Sequence, residues 1–121
     1  MLRVVHFEIT ASDPDRAAKF YGDVFGWKIE KWDGPMEYWM IMTGERDQPG
    51  INGGMMRGDA PSTVNTVDVP SVDEYVEKIT ASGGKVAVPK QAIPGVGYFA
   101  YLRDTEGNTF GIMQSDESAG A

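Results

Sequence analysis

Apolar and polar residues alternate from Val4 to Thr10, with Val5, Phe7 and Ile9 on one side and Val4, His6 and Glu8 on the other. A period of two predicts a half-buried strand. The period then lengthens. Ala17, Phe20, Tyr21, Val24 and Phe25 recur at helical spacing and predict one apolar stripe, read as core. Ser12 or Asp13 supplies a capping oxygen for the first turn. Pro14 suits that turn because it lacks the N–H a helix start leaves unpaired. Asp15 favours the positive end of the helix dipole. Gly26 ends the helix, as a residue free to take positive φ.

Much of this pattern returns later in the chain, as VNTVDVPSVDEYVEKITASGG from Val64 to Gly84. Between the copies, Trp27 to Trp32 reads as a strand, Asp33-Gly34-Pro35 as a turn, and Glu37 to Thr43 as a strand rich in large apolar residues. Ile51 to Met56, INGGMM, reads as a short strand whose glycines signal a bulge or a close approach. In the second copy, Ser71 and Glu74 form a capping box, Val72, Tyr75, Val76 and Ile79 the stripe, and Gly83-Gly84 the stop. Lys85 to Lys90 is a predicted strand, Gln91 to Val96 a loop, and Gly97 to Arg103 an aromatic strand. Asp104 to Asn108 is a hairpin turn with Gly107 at the left-handed position, and Thr109 to Gln114 the last strand.

The order βαβββ therefore occurs twice. It predicts an α+β fold of two paired βαβββ modules. The helices cover one face of a curled mixed sheet, and the other face forms a shared cleft. Residues 1–56 are the first module, 57–63 a polar linker, 64–115 the second module and 116–121 a polar, frayed tail.

Composition narrows the function classes. At 121 residues the chain has the size of one domain. A hydrophobic fraction of 41% suffices for a core, and no apolar run is long enough to span a membrane. Met1-Leu2-Arg3 leads straight into a strand, so no signal peptide is expected and the cytoplasm is the default location. There is no cysteine, which rules out thiolate chemistry, and a single histidine, which rules out His-rich metal sites. A net charge of −7 argues against nucleic acid as a partner.

HFEITASDPDRAAKFYGDVFGW near the start and YFAYLRDTEGNTFGIMQ near the end resemble the glyoxalase/bleomycin-resistance/extradiol-dioxygenase superfamily, the vicinal oxygen chelate fold. The resemblance covers essentially the whole chain and implies the fold rather than one activity. Metal-dependent members take ligands from the first and last strand of each module. On that pattern His6 matches, but Thr66, Gly111 and the Asn52-Gly53-Gly54 segment stand where the other ligands belong. One match of four is short of the three protein ligands usual in a catalytic metal site, so no metal and no cofactor are expected.

Pairing Asp104 with Asn108 puts Gly111 opposite Tyr101 and Met113 opposite Phe99. Carrying that register to the first module by an equal offset puts Trp39 and Ile41 on the same side. The expected cleft lining is His6, Glu8, Trp39, Ile41, Thr66, Asp68, Phe99, Tyr101 and Met113, an aromatic wall with a few polar groups. His6 is either an acid/base group or a hydrogen-bonded histidine. Glu8 and Asp68 are either a carboxylate pair with one raised pKa or a solvated rim. Trp39, Phe99 and Tyr101 stack on a ligand, or pack on each other or on a partner subunit. The leading expectation is metal-free binding of a small organic molecule, as in the bleomycin-resistance branch. The alternative is a lactoylglutathione-lyase- or dioxygenase-like enzyme working through His6 and Glu8, and a third class is an interaction module. A homodimer is expected, covering strand edges and Met55-Met56.

Overall fold

The computed structural model describes residues 1–120. Its elements are β1 (Val4–Ala11), α1 (Pro14–Phe25), β2 (Lys28–Lys31), β3 (Trp39–Met42), β4 (Asn52–Arg57), β5 (Thr63–Asp68), α2 (Val72–Ala81), β6 (Lys85–Ile93), β7 (Gly97–Arg103) and β8 (Thr109–Ser115). This is the α+β, twice-βαβββ order that the periodicity predicts. The chain resolves into two units, Val5–Val64 and a second that joins Met1–Val4 to the residues from Asn65 onward. The opening residues belong to the second unit through their backbone. Leu2 N–H donates to Asp68 O at 2.7 Å, and Asp68 N–H to Arg3 O at 3.1 Å.

In the first unit the strands run β2-β3-β4-β1, with β1 parallel to β4 and the other pairs antiparallel. Trp39, Ile41 and Met55 form the core, against Phe7, Ile9, Trp27, Ile29, Ala17 and Ala18. Asp13 caps α1 by accepting from Arg16 N–H at 3.1 Å. Gly26, in the left-handed region at φ 73°, ends it. The stripe on α1 has the predicted period but a different phase. Pro14, Ala17, Ala18 and Tyr21 turn inward, whereas Phe20, Val24 and Phe25 are 57%, 56% and 60% exposed. Small residues let the helix lie close to the sheet, and the bulky ones are left on its flank. There Phe20 and Tyr21 meet edge to face, and Tyr21 and Phe25 lie against Trp27.

In the second unit the order is β5-β8-β7-β6, with β5 parallel to β8 and the other pairs antiparallel. Ala100, Leu102, Ile112, Val69 and Val72 are the core, and Tyr75, Val76 and Ile79 of α2 pack on it. Ser71 Oγ accepts from Glu74 N–H at 3.2 Å. The hairpin turn is held by Asp104, whose Oδ1 accepts from Glu106 N–H and Asn108 N–H, both at 2.9 Å. Gly107 takes φ 85° there. Two expectations fail in this unit. Strand β6 runs past Pro89 to Ile93, because shifts of register between Val86 and Val88 and between Val88 and Gln91 absorb the proline. The segment from Asp116 is folded rather than frayed. Asp116 N–H donates to Val96 O at 2.9 Å, Gly95 N–H to Ala119 O at 3.0 Å, and Ala119 is 3% exposed. Ala121, the end of the predicted tail, lies outside the described residues.

Candidate functional site

Strand β1 presents His6 and Glu8 on the face opposite to Phe7 and Ile9, as its alternation predicts. His6 pairs with Asn52 and Glu8 with Gly54 across the parallel ladder. Tyr38 reaches the same face from just before β3. Its hydroxyl donates to Glu8 Oε2 at 2.9 Å, and His6 Nε2 lies 2.7 Å from the same oxygen. The His6 and Tyr38 rings lie nearly parallel, 17° apart in plane. The carboxylate of Glu8 is the buried end of this chain, at 8% exposure, and His6 is half-buried. Burial holds the imidazole below its ordinary pKa, and the nearby Glu8 charge offsets part of that. His6 is therefore neutral at pH 7, a state able to accept a proton.

Tyr38 is the residue that sequence reasoning missed. The available signal was Gly53-Gly54. A Cβ on Gly54 would overlap the Tyr38 hydroxyl and ring, and one on Gly53 would meet Phe7 O at 2.5 Å and its ring at 2.6 Å. The close approach that these glycines announce is made by the Tyr38 side chain at Gly54 and by the backbone and ring of Phe7 at Gly53.

Trp39 and Ile41 are not on this face. They are 6% and 1% exposed, in the core beneath α1. The transferred register is one residue out: Glu8, Gly54 and Met40 share a row, as do Asp68, Met113 and Phe99, so Met40 rather than Trp39 or Ile41 is the counterpart of Phe99. A slip of one residue moves a side chain to the opposite face. Trp39 instead packs under two cations, Lys31 Nζ at 5.7 Å and Arg57 Cζ at 5.8 Å from its ring centre.

The second-unit register is as expected. Thr66, Gly111 and Tyr101 form one row, and Asp68, Met113 and Phe99 the next. Phe99 and Tyr101 meet edge on, with centres 5.6 Å apart. Thr66 is buried, and a Cβ on Gly111 would sit 3.0 Å from its Oγ1 and 3.4 Å from the Tyr101 ring.

The donors do not fit a divalent metal of the kind the resemblance implies. Of its four ligand positions, Gly111 has no side chain and Thr66 offers a hydroxyl. Asn52, the ladder partner of His6, already accepts from Thr43 N–H at 3.0 Å. His6 Nε2 is bonded to Tyr38. Among the described residues no three His, Cys, Asp or Glu side chains are grouped to hold an ion. A separate surface groove of about 440 Å³ at the start of α1 includes Asp13 and Arg16, which are occupied by helix capping and by each other, and none of the predicted site residues.

Residues 3–44 match the model of the bleomycin resistance protein-like N-terminal family. The chain is 31% identical to a glyoxylase-like domain-containing protein of Didymella fabae, over 87% of this chain and 88% of that one. It is 30% identical to the protein named "Putative glyoxylase CFP32" of Mycobacterium bovis, over 94% of this chain but 46% of that protein's length. The fold is shared with methylmalonyl-CoA epimerase from Mycobacterium tuberculosis, at TM-score 0.69 and 13% identity over 93% of this chain and 87% of that one. It is also shared with the Mn(II)-bound glyoxalase from Novosphingobium aromaticivorans, at TM-score 0.69 and 24% identity over 99% of this chain and 40% of that one. No helix among the described residues is long and apolar enough to cross a membrane. The chain is a glyoxalase/bleomycin-resistance-like protein, and it belongs to the vicinal oxygen chelate superfamily.

Proposed function

We propose that this protein binds a small organic molecule at the His6–Glu8 face of its first unit, without a metal. The observation that carries the reading is the hydrogen-bonded chain His6–Tyr38–Glu8, which runs from a half-buried imidazole to a buried carboxylate. A few fixed polar groups beside apolar surface, here Met40, are the make-up of a small-molecule site. Thr66, Asp68, Met113, Phe99 and Tyr101 offer a second such surface in the other unit, and Phe99 and Tyr101 are its stacking groups. The test is a ligand screen by thermal shift on the untagged protein. A hit should lose affinity in His6→Ala, and EDTA should leave both melting and affinity unchanged. Stoichiometric metal after mild purification, or hits indifferent to His6, would overturn the reading.

A second reading is favoured by the same chain of bonds. A neutral imidazole backed by a carboxylate through a hydroxyl is a plausible general base, and the sequence relatives carry glyoxylase names. On this reading the protein is a metal-independent enzyme of the glyoxalase kind. Lactoylglutathione-lyase turnover that resists EDTA and disappears in His6→Gln would support it. Turnover that requires added Ni²⁺ or Zn²⁺ would refute it.

A further inference from the structure

We infer that the acceptor this site offers is the Nδ1 lone pair of His6, so that it takes a hydrogen-bond donor, a hydroxyl or amide N–H on a neutral or cationic molecule, in preference to a carboxylate or phosphate. The inference deepens the binding reading and, for its ligand half, rests on it.

The argument is a count of protons. Tyr38 has one to give, and it points at Glu8 Oε2, 2.9 Å away. A carboxylate only accepts. The Tyr38 oxygen therefore has only lone pairs for His6 Nε2, and at 2.7 Å two facing lone pairs would repel. Nε2 must carry the hydrogen. A neutral imidazole carries one, so Nδ1 is bare. His6 has no hydrogen bond other than that to Tyr38 among the described residues, and no side-chain polar atom sealed from solvent lacks a partner. Nδ1 is thus open to solvent and acts as an acceptor. The same count fixes the sign of the field. The Glu8 charge behind the ring and the net charge of −7 both repel an anion. Tyr38 acts as a positioning residue: it passes the preference of Glu8 through to the far side of the imidazole.

His6 is the sole histidine of the chain, so its long-range ¹H–¹⁵N spectrum contains a single imidazole. In ¹⁵N-labelled, untagged protein at about pH 8, where an imidazole is neutral, the spectrum should show the Nε2–H tautomer. In Tyr38→Phe the preference should relax toward a mixture. An Nδ1–H tautomer in the unaltered protein would overturn the inference, since it would mean that Tyr38 turns its proton toward His6 rather than Glu8. The ligand half is read with phenol and benzoate, which share a phenyl ring and differ in offering a donor or an anionic acceptor. Phenol, a donor, should move the Nδ1 resonance, and benzoate should leave it in place. A larger response to benzoate would overturn the ligand class. Silence from both, with Nε2–H intact, would sink the binding reading and the ligand class with it, and would uphold the tautomer alone.

Discussion

Corresponding faces of the two units' strands carry different contents. In the first, the rows are His6–Asn52 and Glu8–Gly54–Met40. In the second, they are Thr66–Gly111–Tyr101 and Asp68–Met113–Phe99. Each row has small and large members, but in different places. Gly54 clears room for Tyr38, whose hydroxyl ties a histidine to a carboxylate. Met113 fills the matching position in the second unit, where Phe99 and Tyr101 meet each other instead. One repeat thus carries a hydrogen-bonded chain and the other an aromatic surface, on the same backbone plan. What differs is where glycine stands in the last strand of each module.

The largest test of that contrast lies on the other side of the sheet. Trp39→Ala should lower stability by about 3–5 kcal/mol, the usual result of emptying a core position, measured by denaturant unfolding. Phe99→Ala should be far milder, because Phe99 is half-buried on the opposite face from Ala100 and Leu102. Equal losses would erase the distinction between core and open face. Next in size is Tyr38→Phe, which takes a donor from buried Glu8 and should cost about 1–3 kcal/mol. A neutral result in the same unfolding assay would mean that the hydroxyl chain contributes nothing to the fold.

These tests bear on residues that were unequally legible. Apart from the extent of β6, the strands, helices and caps follow from local period and from Asp13, Pro14 and Gly26, which act within a few residues. The Phe99–Met113 register also follows, because a tight turn at Asp104–Asn108 fixes it nearby. The register of β3 does not. It is set against β4 across a nine-residue connection from Thr43 to Ile51, with no turn to count from, and an assumed equal offset gave the wrong face for Trp39 and Ile41. The phase of α1 was illegible for a related reason. Side-chain bulk marks a stripe, but Ala17 and Ala18 allow the closer approach, and close approach decides what is buried. Tyr38 was hidden because it lies outside regular structure and bonds to His6 and Glu8, some thirty residues away on β1.

A weaker effect is expected from pH. The folded protein holds His6 below its ordinary value of 6.5, so the unfolded chain binds the proton first as pH falls. Stability should therefore be full above that value and decline as pH drops from it toward the lower folded pKa. Melting followed from pH 7.5 to about pH 5 should show a steeper decline than in His6→Gln; parallel curves would remove His6 as the cause. The smallest change should come from the helices. Val24→Ser on the exposed flank of α1 should stay within about 0.5 kcal/mol, whereas Val76→Ser, packed on the second core, should be clearly worse by calorimetry. A large loss at Val24 would show that the flank is covered in solution.

The interrupted ladder of β6 has a consequence for solubility. This strand ends the order β5-β8-β7-β6, and an outer strand with an even row of N–H and C=O groups is a template on which further chains can grow. Here Pro89 has no N–H, two shifts of register break the repeat, and Lys85 and Lys90 are exposed along it. A strand from another molecule would find the spacing broken and one donor missing. The irregularity makes β6 a poor template for a strand from another molecule.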